Sequence, residues 1–451
     1  MLIPDLGLVK KYNKPGPRYT SYPTAPQFSD AVDLEDLRHE ASLETGPLSL
    51  YFHIPFCQSL CWFCGCTKII SSGREPADAY LDQLEQEIDL YLETSQPGRL
   101  VQQLHFGGGT PNYLAPDQID RFSDYLHENF SFADDAEISA ELDPRRLTEE
   151  HISAFRRLGV NRVSFGMQDI QLKTQEAVNR VQSDEQNRQA IEWARAAGIN
   201  SLNIDLIYGL PFQTPESIRT TIQHVLQYEP DRLAIFSYAH VPWIAPAQKI
   251  LDRHGLPTAE AKIKMLGVII QELTSSGYQY IGMDHFAKVG DSLAVAQRNK
   301  TMQRNFQGYS TFKDVEICAF GISSISQTTN SYRQNVKDLE QYTAKLSVDQ
   351  FPTEKGYILT ENDRIRRTTI MRLMCDHALD YTQLSSDLAI DFKEYFADEL
   401  QSFTEMKQDG LLTTSNNSLQ VTPQGTLFIR NIAMHFDAHL AQSVARHSHT
   451  I

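Results

Sequence analysis

The 451-residue chain has no run of about eighteen apolar residues, so no membrane-spanning helix is expected. Its N-terminus, Met1-Leu2-Ile3-Pro4-Asp5, does not set a basic segment before an apolar one, so no secretory signal is read. Positive charge is also short: 41 Lys and Arg stand against 57 Asp and Glu, a net charge of −16. A broad nucleic-acid surface needs clustered cations, so DNA or RNA is not expected as the partner. A local basic pocket for an acidic small molecule is still compatible with that balance. Cysteine is scarce, six in all, and Cys318 and Cys375 stand alone. The pattern fits a reducing cytoplasm rather than a secreted disulfide framework. Length implies two or three structural units, and a hydrophobic content of 41% supplies a sizeable core.

The other four cysteines fall within ten residues: Cys57, Cys61, Cys64 and Cys66, spaced Cys-x3-Cys-x2-Cys-x-Cys. Soft thiolates this close favour an iron–sulfur cluster or zinc. Zinc usually closes a tetrahedron with a second Cys or His pair, and none follows. A disulfide within the loop would need an oxidising context. Both alternatives rank below a 4Fe-4S cluster held by three cysteines, its fourth iron open.

From residue 48 onward, short β-rich runs alternate with amphipathic stretches, the pattern of βα units around a parallel sheet. Strands are expected at 49–54, 103–106, 137–142, 162–166, 202–207 and 233–238. Helices are expected near 75–95, 116–128, 148–158, 184–197 and 214–228, with a further one at 259–276. Hydroxyls at Thr148 and Thr214 suit helix N-caps, and Pro215 suits a first turn. Six such repeats fit an open doubly wound sheet or a partial barrel. In both, sites gather at the carboxyl ends of the strands. The cysteine loop follows the first strand and Gly107-Gly108-Gly109-Thr110-Pro111 follows the second. Glu141, Gln168 and Asp205 lie at or near later strand ends. Singly, each carboxylate reads as a cap or surface pair; their shared placement argues for a site.

Residues 1–45 contain Pro15, Pro17 and Pro23, which argue for an extended arm. Arg18 and three tyrosines there suit a segment covering a site; a solvated tail is the plain alternative. Residues 303–325 read as loops packing on a flat ligand, and His285 as a proton donor, a polar clamp or a structural histidine. In 351–451, helices at 360–375 and 391–408, a hairpin over 411–421 and a helix from 423 suggest a winged-helix-like unit. Its acidic stretch makes DNA a poor partner.

The Cys57-x3-Cys61-x2-Cys64 spacing, with Phe63 directly before the third cysteine, resembles the signature of the radical S-adenosylmethionine enzymes. Three further features narrow the resemblance. They are His53-Ile54-Pro55-Phe56-Cys57 with Cys64-Gly65-Cys66; the arm Pro17-Arg18-Tyr19-Thr20-Ser21-Tyr22-Pro23; and three runs, Asn203–Pro211, Gly282–Ala287 and Arg304–Tyr309. Together they resemble the oxygen-independent coproporphyrinogen III oxidases, over essentially the whole chain from Tyr12.

That resemblance implies an α/β fold: a partial (β/α)6 TIM-like barrel with an N-terminal arm and a mainly helical C-terminal domain. It divides the chain into an arm covering the site (1–45), a catalytic barrel (46–290), a connecting segment (291–350) and the helical unit (351–451). It implies Cys57, Cys61 and Cys64 as ligands of a 4Fe-4S cluster, with Tyr51 beside them among the catalytic residues. S-adenosylmethionine would bind the open iron and yield a 5′-deoxyadenosyl radical on reduction. One S-adenosylmethionine is expected near Tyr51, Gly108, Glu141 and Ile325. A second is expected near Phe63, Gly109, Thr110, Gln168, Arg180, Asp205 and Ala239. Arg18 is the candidate for a substrate propionate. The implied reaction turns two propionates of coproporphyrinogen III into vinyl groups. It uses a donor such as flavodoxin or ferredoxin and an unidentified electron acceptor, in a cytoplasmic monomer. Alternative readings are a haem chaperone, a haem-degrading methyltransferase, or a non-catalytic haem or iron–sulfur carrier. The chaperones resemble this loop but usually lack its fourth cysteine and the arm.

Overall fold

The computed structural model describes residues 5–313, 315–440 and 450. Its centre is six parallel strands paired in chain order. They are β1 (Leu48–Ile54), β2 (Leu100–Gly108), β3 (Ser131–Leu142), β4 (Arg162–Gln168), β5 (Ser201–Tyr208) and β6 (Arg232–Ser237). The crossovers carry α1 (Glu75–Thr94), α2 (Pro116–Asn129), α3 (Glu149–Leu158), α4 (Asp184–Ala196) and α5 (Pro215–Leu226), and α6 (Ala259–Ser275) follows β6. The helix bounds agree with the sequence reading to within two residues, because strong stop signals set them. Thr214 Oγ1 accepts from Ser217 N at 3.2 Å with Pro215 in the first turn. Gly159 closes α3 in the left-handed region at φ +107°.

The sheet continues beyond the six repeats, which the periodicity did not indicate. At the β6 edge lie β7 (Tyr278–Gly282) and β8 (His285–Lys288), with β8 antiparallel to β6. At the β1 edge lies β9 (Glu316–Phe320), parallel to β1, and beyond it β10 (Ile325–Gln327), β11 (Ser331–Asn335) and β12 (Thr353–Ile358), all antiparallel. Residues 303–325, read as loops, therefore contain a seventh parallel strand. All of β9 is buried, and the buried ion pair Arg99–Glu316, 2.5 Å, seats its first residue. Five residues that follow a seven-residue helix, Ser292–Arg298, and a short hairpin, Gln303–Asn305 with Gly308–Ser310, carry no βα signal. β12 belongs to this sheet, so the helical unit begins after it, at about residue 359.

That unit starts with α7 (Glu361–Asp376) and holds a small sheet of β13 (Ala378–Asp380), β14 (Leu412–Thr414) and β15 (Ser418–Val421), with β15 central. The single helix expected over 391–408 is instead three short ones: Phe392–Tyr395, Ala397–Ser402 and Thr404–Gln408. Phe396 and Phe403 leave helical geometry at the joints and turn fully inward, both against Phe436 at 5.2 and 5.6 Å.

The N-terminal arm is not a solvated tail, nor is it extended throughout. Helices Leu6–Tyr12 and Leu34–Ser42 flank the extended proline-rich stretch. Tyr12, Tyr19 and Tyr22 are buried in the core of the helical unit. Prolines remove N–H donors, so the arm's carbonyls must find donors elsewhere. Arg304 donates to Tyr19 O at 3.1 Å and Arg18 O at 3.2 Å. Arg430 donates to Pro17 O at 2.8 Å, and Asn431 Nδ2 to Tyr12 O at 2.7 Å. Among the described residues no helix is long and apolar enough to cross a membrane.

Candidate active site

Strand alternation builds the chamber. In β4, Val163, Phe165 and Met167 are buried under the helices, while Arg162, Ser164, Gly166 and Gln168 turn to the barrel interior. Period two repeats in β2 (Gln103, His105), β3 (Glu137, Ser139, Glu141) and β5 (Asn203, Asp205, Ile207). The barrel interior is thus polar and open, a cavity of about 430 Å³ with the cysteine loop at its mouth.

Cys57, Cys61, Cys64 and Cys66 all border this cavity. Cys57 lies 3.4 Å from Thr110 Oγ1. Burial pushes its thiol up to about 11. The Cys64 thiol is held down, to about 6, by its hydrogen bond with Cys66 and by the charges of Lys68 and Arg180. Two guanidiniums back the loop: Arg145 and Arg180 each place an N–H 3.6 Å from Cys61 Sγ. Asp143 orients both, at 2.6 Å and 3.0 Å. Burial alone would raise the Asp143 carboxyl, but the two arginines outweigh it and hold it at about 2. Arg180 Nη2 also donates to Gly166 O at 2.5 Å, while its Nε is buried without a partner.

The glycine run is a steric necessity. A Cβ on Gly109 would stand 2.5 Å from Pro55 O and 2.8 Å from Phe56 O. One on Gly108, at φ +115°, would strike the His53 ring and Ile54 O at 2.9 Å. Gly109 N donates to Ile54 O at 2.8 Å, so the end of β2 is stitched to the root of the cysteine loop. This turn and the thiols border one cavity.

Inside the barrel, Glu141 receives His105 Nε2 at 3.3 Å. Burial opposes its ionisation, but the His105 hydrogen bond and nearby imidazoles leave its carboxyl below the usual range. Asp205 is the opposite case. Burial, then the Glu141 charge, push it up to about 7 despite hydrogen bonds from Ser164 and Asn203 at 2.8 and 2.7 Å. Two neighbouring carboxyls with separated proton affinities suit hydroxyl or ammonium groups of a polar ligand. His285 lines the inner wall; burial lowers its imidazole to about 3, and its Nδ1 has no partner. It is neutral there.

Of the residues picked from the sequence, Cys57, Cys61, Phe63, Cys64, Gly108, Gly109, Thr110, Glu141, Gln168, Arg180 and Asp205 border this cavity. Tyr51 lies just behind it, stacked on His105 at 5.9 Å with its hydroxyl 3.1 Å from His53 Nδ1. Ala239 and Arg18 line a second cavity of about 400 Å³, where Arg18 pairs with Asp284. Ile325 sits apart, packed against the cluster of Phe28, Tyr332 and Leu359. His105, Asp143, Arg145, Ser164 and Asn203 were missed as site residues. Polar residues at every second position of otherwise apolar strands are the signal that marks most of them.

Among the described residues no three His, Cys, Asp or Glu side chains close on a point that holds a single ion. A cluster makes no such demand, since its thiolates bind separate metal vertices. Three thiols on one chamber, with two cations behind them, fit an anionic iron–sulfur centre.

Comparison with known proteins bears on these features. A family model described as the radical SAM superfamily matches residues 51–225, and one described as the HemN C-terminal domain matches residues 359–428. The oxygen-independent coproporphyrinogen III oxidase of Salmonella typhimurium is 47% identical over 97% of this chain and 96% of its own length. The protein of that name from Escherichia coli is 46% identical, with 97% and 96% covered. A solved structure of coproporphyrinogen III oxidase from Escherichia coli, described as a radical SAM enzyme, superposes with a TM-score of 0.93. It covers 98% of this chain and 100% of that one at 44% identity.

Proposed function

The chain belongs to the family of oxygen-independent coproporphyrinogen III oxidases, and from that membership we propose that it converts coproporphyrinogen III to protoporphyrinogen IX in haem biosynthesis. Two propionate side chains become vinyl groups. For each, a hydrogen leaves the β-carbon, the carboxylate leaves as CO2, and one electron passes to an acceptor. When bound, a 4Fe-4S cluster and S-adenosylmethionine supply a carbon radical able to take hydrogen from a C–H bond that no general base would deprotonate.

The observation that carries the reading is the convergence of the three thiols, the Gly108–Thr110 turn and the Glu141–Asp205 pair on one cavity. Cys57, Cys61 and Cys64 would hold the cluster. Arg145 and Arg180 would offset its negative charge, positioned by Asp143. Gly108 and Gly109 would let a ligand approach the backbone closely, Thr110 would present its hydroxyl, and Glu141 and Asp205 would accept from hydroxyl or ammonium groups. Tyr51, fixed by His53 and His105, would pack beside the ligand. A second S-adenosylmethionine would contact Phe63 and Gln168 on the barrel cavity and Ala239 on the second cavity, while Ile325 would reach a ligand only at the edge of the barrel. Barrel and loop together would exclude water and quenchers. Flavodoxin or ferredoxin is the class of donor that suits the electron input.

The test is anaerobic incubation of the reconstituted protein with coproporphyrinogen III, S-adenosylmethionine and a reductant. Formation of 5′-deoxyadenosine together with the divinyl product is expected. Haem binding without cleavage of S-adenosylmethionine would instead identify a carrier and refute the proposal.

A further inference from the structure

The second cavity contains a cation with no obvious reason to be there. α6 sends Lys262 across the carboxyl end of β5, where its stem lies over Gly209. A Cβ on Gly209 would meet Lys262 Cε at 2.9 Å and Cδ at 3.1 Å, and Gly209 itself has φ +90°. The glycine therefore forms a slot that the lysine fills. The ammonium donates to Tyr238 O at 3.0 Å and, among the described residues, meets no carboxylate. Its neighbours differ: Arg18 pairs with Asp284, and His240 with Asp252 at 3.1 Å. Burial disfavours the charged lysine, with nothing opposing it. An ammonium has three donors, and here one is used. A half-buried cation without a counter-charge is costly, and a bound anion removes that cost.

The rest of the cavity indicates the kind of anion. Tyr208, Tyr238, Leu256 and Leu266 give apolar walls, and Trp243, 53% exposed, stands at the rim. Such a lining suits the ring edge of an amphiphile whose carboxylate arms reach inward. Gln248, buried, ties this cavity to the cluster loop: its Oε1 accepts from Val241 N at 2.6 Å and its Nε2 donates to Phe63 O at 2.8 Å. We propose that Lys262 receives a propionate carboxylate of the substrate in the second cavity and is a specificity-determining residue. This rests on the reading above that the substrate is a tetracarboxylate porphyrinogen.

The test is a fluorescence titration of the anaerobic, reconstituted enzyme with coproporphyrin III, a non-reacting tetracarboxylate, and with its tetramethyl ester. Lys262→Met is expected to weaken binding of the tetra-acid by about tenfold or more, the scale of a lost charge-assisted hydrogen bond. It should leave the ester within about twofold on the same reasoning, with iron content unchanged. Lys262→Gln keeps a donor for Tyr238 O and should show the same selective loss, so a folding defect in the first variant does not decide the matter. Tetra-acid binding by Lys262→Gln within about twofold of wild type, or equal loss of acid and ester, would overturn the assignment. A wild-type protein that neither binds the tetra-acid nor turns over coproporphyrinogen III would overturn the function proposed above, and this assignment with it.

Discussion

Replacing Gly109 with alanine tests the geometry of the cluster loop directly. Gly109 does not lie in the left-handed region, so its backbone accepts a side chain and only the contact is at issue. The added methyl would stand 2.5 Å from Pro55 O, 2.6 Å from Pro55 C and 2.8 Å from Phe56 O. These are backbone atoms, so no rotamer change relieves them. Pro55–Phe56 must move by about half an ångström or more, and Cys57 is the next residue. Overpacking of this kind costs about 1–3 kcal/mol. A displacement near that size in a catalytic constellation costs about 10- to 100-fold in rate. Thermal unfolding of the cluster-free protein, iron and sulfide per chain after anaerobic reconstitution, and turnover would be measured together. All three are expected to fall. Gly290→Ala, where a Cβ meets nothing within 4 Å, is the control and should match wild type. A Gly109→Ala protein with wild-type melting, iron and turnover would show that the loop does not depend on this close approach.

Glu87 is buried with no direct ion pair among the described residues, taking Gly321 N, Tyr342 OH and Asn335 Nδ2 at 2.8, 2.5 and 2.7 Å. Burial nonetheless raises its carboxyl to about 7 from an ordinary 4.5. A carboxyl with a raised folded pKa contributes most below its unfolded value and loses that contribution as pH climbs through the folded one. Over pH 4.5 to 7 the loss approaches roughly 3 kcal/mol. Glu87→Gln should therefore flatten the decline in melting temperature between pH 5 and 8; a parallel decline in both proteins would count against it. Arg304→Met removes the donors to Tyr19 O and Arg18 O, a cost of about 2–4 kcal/mol, and should expose the arm to limited proteolysis before the rest of the chain unfolds. Cys66→Ser should retain wild-type iron content, since three thiols suffice; loss of iron would make Cys66 a ligand. Arg18→Ala should raise KM for coproporphyrinogen III about tenfold with iron intact, and loss of iron in step with activity would argue for a structural role.

The six βα repeats were legible because each crossover helix opens on a hydroxyl or proline and the strands carry β-rich runs with apolar residues at alternate positions. The cysteine loop and the glycine turn were legible because their residue types have few other uses at that spacing. What stayed hidden has physical causes. β9 is five residues directly preceded by a short hairpin rather than an amphipathic helix, and it is held by an ion pair to Arg99, over two hundred residues earlier. The break at Phe396 and Phe403 follows from a partner, Phe436, that pattern reading along 391–408 does not contain. Arg145 looks like a surface residue in sequence. Only the fold shows it behind Cys61, and only Gly209 beneath its stem explains Lys262.

The arm's carbonyls are satisfied by Arg304, Arg430 and Asn431, and the hydroxyls of Tyr12 and Tyr19 by Asp409 and Asp437, so these partners emerge from the ribosome nearly three hundred to more than four hundred residues after it does. For most of translation the first segment has nothing to dock on, while the barrel strands and the thiol loop are already synthesised. A chain stalled before Arg430 would carry the barrel and the thiol loop but no donor for Pro17 O, so its first segment would be left undocked.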